Sequence, residues 1–134
     1  MIDYATILKE NPCGVLATHD EGKVRTRVFQ CLFSDAQKLY FGTNKEKSVY
    51  EQLQANPHVS FCTYPTSLDP VLSLTGTTVF VDDLAIKTRI LAAYPLIKDL
   101  FKTPDNPLFQ VFYIDVAEVT TFSISKYDKK TEII

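Results

Sequence analysis

The chain has 134 residues, 46% of them hydrophobic, and a formal net charge of −2. That length fits one domain with a real core, and the acidic balance excludes a general basic field for a nucleic-acid backbone. Cys13, Cys31 and Cys62 are isolated and odd in number, which suits reduced structural thiols; with only His19 and His58 beside them, zinc spacing is missing.

Asp3 to Glu10 carries Tyr4, Ile7 and Leu8 in the pattern of a short amphipathic helix, ended by Asn11-Pro12. No basic and apolar leader precedes it, and no apolar run approaches the roughly 20 residues that span a bilayer, so a soluble cytoplasmic protein is expected. Gly14 to Thr18 reads as a strand, His19 to Gly22 as a turn, and Lys23 to Phe33 as the returning strand of a hairpin. Ser34 to Gln37 turns the chain into a third antiparallel strand, Lys38 to Gly42. Thr43-Asn-Lys-Glu46 matches a capping box, predicting a helix with Thr43 as N-cap that runs through Val49, Tyr50 and Leu53 and stops before Pro57.

His58 to Tyr64 is a strand, and Val71 to Val81 a long one with a bulge or bend expected at Gly76. Asp82-Asp83 caps a helix with Leu84, Thr88 and Leu91 on one face, and Pro95 breaks it before a further turn at Leu96 to Phe101. Leu108 to Ile114 and Val119 to Ile124 close the set, leaving Lys126 to Ile134 as a polar tail, frayed or docked on a partner. The pattern is mainly β, of the α+β class: six or so antiparallel strands with flanking helices, which suggests a small barrel whose closure removes open edges.

The chemistry concentrates between Lys23 and Pro57. Alternation puts Arg25 and Arg27 on one side of their strand, about 7 Å apart at ~3.3 Å per residue, with Phe29 following. Two guanidiniums grip a phosphate through paired donors in a way lysine does not; the bland alternative is a solvated rim, or ion pairs with Asp20 and Glu21. Lys45 and Lys47 fall in the first turn of the expected helix, where cations oppose the dipole. They fit better with an anion seated between them and the helix end, and Ser48 adds a hydroxyl. No paired-carboxylate, Ser/His/Asp or Cys/His arrangement stands out.

The order of these elements, Arg25-Thr-Arg27-Val28, then Leu39-Tyr-Phe-Gly-Thr43, Lys47-Ser48 and Asn56-Pro-His-Val59, resembles the pyridoxamine 5′-phosphate oxidase-like FMN-binding split-barrel family. Leu72 to Asp82 resembles the long strand that follows, and the subgroup resembling nitroimidazole-resistance proteins, short split barrels too, is a plausible home. The resemblance implies a six-stranded antiparallel split barrel, paired as a homodimer with FMN at the interface. On the matching positions Arg25, Arg27 and Val28 would lie along the flavin and its phosphate. Phe41, Gly42 and Thr43 would pass under the ring and ribityl chain, while Lys47 and Ser48 would bind the phosphate. The chain has no Trp and lacks the C-terminal Trp- and Arg-bearing segment of the vitamin-B6 enzymes, which argues against vitamin synthesis.

The leading expectation is a small oxidoreductase passing electrons through FMN to a small planar substrate. A flavin or phosphorylated-ligand store or sensor would use the same residues, and a flavin-free scaffold would leave Arg25 and Arg27 solvated. His58 and Tyr64 are candidate cleft residues, although a strand His beside Pro57 is more often structural. Phe122 is a candidate to reach a partner's flavin by fold analogy alone. Nucleic-acid binding on an OB-like barrel is disfavoured by the acidic total.

Overall fold

Asp3 opens the first helix, its side chain accepting from Thr6 N at 3.2 Å, and α1 (Tyr4–Glu10) ends at Asn11. The computed structural model describes residues 1–134. β1 (Cys13–Asp20) and β2 (Lys23–Gln30) form the expected hairpin. Glu21 at φ 49° and Gly22 at φ 82° make its turn, so glycine supplies the left-handed position that side chains resist. β3 (Phe33–Asp35) is a separate short strand, where the sequence pattern predicted one continuous strand to Phe33.

β4 (Lys38–Asn44) extends two residues past its predicted end. The capping box is therefore not formed. Thr43 and Asn44 pair with Gln110 and Phe109 of the long strand β7, and Glu46 N donates to Asn44 Oδ1 at 2.8 Å instead. α2 (Ser48–Ala55) starts later, with Lys47 in the N-cap position. Lys45 accordingly lies before the helix, not in its first turn.

β5 (His58–Thr63) and β6 (Val71–Val81) follow as expected. The register slips between Thr75 and Gly76, where a Cβ would stand 2.1 Å from Asp115 O; only glycine permits that approach. Asp83 caps α3 (Leu84–Ala93), accepting from Ala85 N and Ile86 N. Pro95 opens α4 (Pro95–Phe101) at its first position, which needs no N–H donor. The buried face of α3 is Lys87, Ile90 and Leu91. Of Leu84, Thr88 and Leu91, expected to share one face, only Leu91 is buried and the other two are exposed, because the helix docks through Lys87, Ile90 and Leu91. The two closing strands are one, β7 (Phe109–Ser123). The polar tail folds back on it as β8 (Asp128–Ile133), and Ile2 N donates to Glu132 Oε1 at 2.6 Å.

All pairings are antiparallel, in the order β2-β1-β5-β6-β7-β4-β3, with β8 on the free flank of β7. The expected meander from β2 into β4 does not form, since β4 pairs with β7 across the molecule. The sheet consequently curls without closing, a split barrel of the mainly antiparallel α+β class. Two clusters hold it. Leu16, Phe41, Phe61, Leu72, Leu74, Phe112 and Ile114 fill the barrel, with Leu8, Val49 and Leu53 at its ends. Leu32, Tyr40, Ile90, Leu91, Phe101, Phe109 and Val111 pack beneath α3 and α4. Alternation along β7 serves both, Phe112 and Ile114 pointing one way and Phe109 and Val111 the other.

Candidate functional site

The gap between β2 and β4 is where the residues singled out by the sequence converge. A groove of about 470 Å³ is lined by Arg27, Val28, Phe29, Gln30, Gly42, Thr43, Lys47, Ser48 and Val49. β2 delivers the first four, β4 the glycine and threonine, and the start of α2 the rest. Six of the eight predicted site residues meet here: Arg27, Val28, Gly42, Thr43, Lys47 and Ser48. Arg25 does not line it. Its Nε donates to Asp20 Oδ2 at 3.0 Å in a half-exposed ion pair, the alternative the sequence left open. The Phe41 side chain is fully buried, stacked on Phe112 at 5.4 Å between centroids, and does not line the groove.

Arg27 is held by neutral groups. Nη1 donates to Thr18 Oγ1 at 2.6 Å and Nη2 to Gln52 Oε1 at 2.5 Å. Thr18 Oγ1 in turn donates to Gln52 Oε1 at 2.8 Å. Burial pulls the Arg27 guanidinium below its usual pKa; Asp20 opposes that pull, and Arg25 adds to it. Sequence reasoning missed Thr18 and Gln52. The one available signal was an amide on the apolar stripe of α2, where Val49, Gln52 and Leu53 are the buried positions.

The N-terminus of α2 faces the same groove. No side chain caps it; Tyr50 N already donates to Lys47 O at 3.0 Å, and the N–H groups of Ser48 and Val49 have no acceptor four residues back. Lys47 forms no ion pair; the salt bridges are Met1–Glu132, Arg25–Asp20 and Lys87–Asp82. Thr43 Oγ1 is buried without a hydrogen-bond partner, and such a hydroxyl costs about 1–3 kcal/mol until something satisfies it. Two cations, a helix end, a serine and an orphaned hydroxyl thus surround one cavity, a donor set suited to a phosphate-bearing ligand. Gly42 has a structural reason of its own. A Cβ there would meet Phe109 Cε1 at 3.3 Å and Leu32 Cδ1 at 3.6 Å.

His58 and Tyr64 lie elsewhere. His58 shares a smaller cavity of about 260 Å³ with His19, Ser60 and Thr75, and Tyr64 is half exposed. Phe122 meets Tyr127 edge-on at 5.8 Å. All three cysteines are free, and burial pushes the Cys31 thiol up to about 12. No helix is long and apolar enough to cross a membrane.

A split barrel with a donor-lined groove between β2 and β4 defines the class of protein. A family model described as pyridoxamine 5′-phosphate oxidase matches residues 3–123, so the chain belongs to the pyridoxamine 5′-phosphate oxidase-like family. Among solved structures it is similar to a NimC/NimA family protein from Clostridium acetobutylicum, at 29% identity and TM-score 0.84, over 96% of this chain and 88% of that one. A putative pyridoxamine 5′-phosphate oxidase from Listeria innocua matches at 28% identity and TM-score 0.74, over 87% and 92%. A pyridoxamine 5′-phosphate oxidase-related, FMN-binding protein from Nostoc punctiforme shares the fold at 18% identity and TM-score 0.67, over 98% and 94%. No curated protein sequence matches the chain.

Proposed function

We propose that the groove holds FMN and that the protein is a small flavoprotein oxidoreductase acting on a small planar substrate. The observation that carries this is the phosphate cradle: Arg27, Lys47, Ser48, the uncapped start of α2 and the orphaned Thr43 hydroxyl around one cavity. The family membership and the FMN-binding description of the Nostoc relative support the choice of ligand. Arg27 and Lys47 would balance the phosphate dianion, and the α2 N–H groups and the Ser48 and Thr43 hydroxyls would complete its hydrogen bonds. The bound flavin would supply the electron-transfer chemistry, for which no strong acid or base of the protein is needed.

The same reading includes a homodimer. Pairing aligns Val28, Val15, Cys62, Ser73 and Thr120 across the outer face of five strands, and Thr26, Ala17, Ser60 and Thr75 beside them. The residues named carry no charge and are half-buried or exposed, and the second row ends at Glu118, opposite Thr75 on β7. A second copy laid on this face, next to the groove, would cover a flavin ring that a chain without Trp leaves open on one side.

The test is the visible spectrum of the purified protein before and after FMN addition, followed by NADH or NADPH. A flavin spectrum that bleaches with a nicotinamide donor and recovers with an acceptor is the expected result. A stable flavin complex without turnover would select the store or sensor, and a protein that ignores FMN would remove the cofactor.

A further inference from the structure

We propose that Thr18 and Gln52 are specificity-determining positioning residues, a neutral clamp that aims Arg27 into the groove while leaving its charge for a phosphate dianion. The inference rests on the FMN reading and goes deeper into the same site.

A half-buried arginine is most often held by a carboxylate, whose bidentate pairing is strong but cancels the charge. Here an amide and a hydroxyl do the holding. Both are buried, Thr18 at 2% and Gln52 at 9% exposure. Their donors and acceptors interlock in one way: Thr18 Oγ1 gives its proton to Gln52 Oε1 and accepts from Nη1, while Gln52 Oε1 also accepts from Nη2. The amide oxygen must therefore face the guanidinium, because its NH2 would present donor to donor.

The charged neighbours fit the same design. Asp20, the acid whose field reaches Arg27, is bonded to Arg25. Glu51, next to Gln52 on α2, is exposed and lines the adjoining cavity with Asp20 and Glu21 rather than the groove. No carboxylate bonds Arg27 or Lys47. Gln52 sits one turn inside the helix whose N-terminus faces the groove, so the clamp also fixes that helix end relative to β2. The anion meets Arg27 held in a fixed position and Lys47 free of any ion pair, and preorganised charge of this kind discriminates by ligand charge.

Fluorescence titration of the full chain with FMN and with riboflavin, which lacks the phosphate, reads the clamp directly. Wild type should prefer FMN. Gln52→Glu keeps the shape but pairs Arg27 with a carboxylate. It should lower the ratio of FMN to riboflavin affinity by about tenfold or more, with riboflavin binding and melting temperature unchanged. Thr18→Val, which removes one of the two holds, should lower the ratio less, and it decides the matter if Gln52→Glu does not fold. An unchanged ratio in a folded variant, or a parallel loss of both flavins, would overturn the clamp while leaving the FMN site standing. A wild type that binds the two flavins equally, or neither, would overturn the phosphate reading itself and the clamp with it.

Discussion

Phe29 of β2 meets Phe41 of β4 edge-on, with ring centroids 6.0 Å apart and planes at 89°, although the two strands share no hydrogen bond. It also meets Phe112 at 5.7 Å. Side chains thus close the barrel interior where the backbone stays open, and the groove lies directly beside that contact. Phe29→Ala should cost about 3 kcal/mol, since large-to-small core changes add a cavity to the lost transfer energy. Urea unfolding checks this, and a loss below about 1 kcal/mol would mean that the seam does not depend on the ring.

Lys47→Ala should weaken FMN by about tenfold while sparing riboflavin, and Arg27→Ala by more, because each removes a charged partner of the phosphate. Equal losses for the two flavins would show that these residues act on the ring or the fold instead.

Ala17 stands within these outer rows, between Thr26 and Ser60. Ala17→Arg should give a monomer in sedimentation experiments and release FMN at the same time. A monomer that keeps its flavin would contradict a site completed by a second copy.

Cys31 predicts a pH dependence with a definite sign. Burial lets its thiol hold its proton up to about 12 in the fold, against 9.0 for an unburied thiol. The stabilisation is fully present below pH 9 and is lost as pH rises toward 12, because only the unfolded thiol ionises in that window. Wild type should therefore lose more melting temperature between pH 8 and pH 10.5 than Cys31→Ala does. Cys31 should also resist thiol reagents in the native state, whereas exposed Cys13 reacts at once.

Gly76→Val should split β6 from β7. Its Cβ would fall on Asp115 O, and a shift large enough to relieve that contact breaks the ladder at the barrel's longest pairing. A loss of about 2 kcal/mol or more is expected, read from the midpoint of urea unfolding.

The elements legible in the sequence share a physical reason. Val71–Val81 lies between turn residues with a glycine at its centre, so its ends and its bulge are both marked locally. The α3 cap at Asp83 and the proline start of α4 are equally local. The capping box at Thr43 was misleading because T-x-x-E is also local, and pairing with Phe109 and Gln110 claims those residues for a strand. β8 left no pattern, since an edge strand with solvent on its outer side needs no apolar alternation. The break placed between Ile114 and Val119 dissolves in β7 because β6 pairs across it through the bulge.

By itself, then, the chain's order of residues determined a mainly antiparallel α+β framework and brought forward Arg27, Val28, Gly42, Thr43, Lys47 and Ser48, which line one groove, because residue type and alternation are local properties. Tertiary structure decided which arginine faces the groove, that Lys47 rather than Thr43 heads α2, and that Thr18 and Gln52 hold Arg27. Those outcomes depend on contacts between residues distant in sequence, as far apart as Thr43 and Gln110, where competing acceptors are ranked only once the strands have paired.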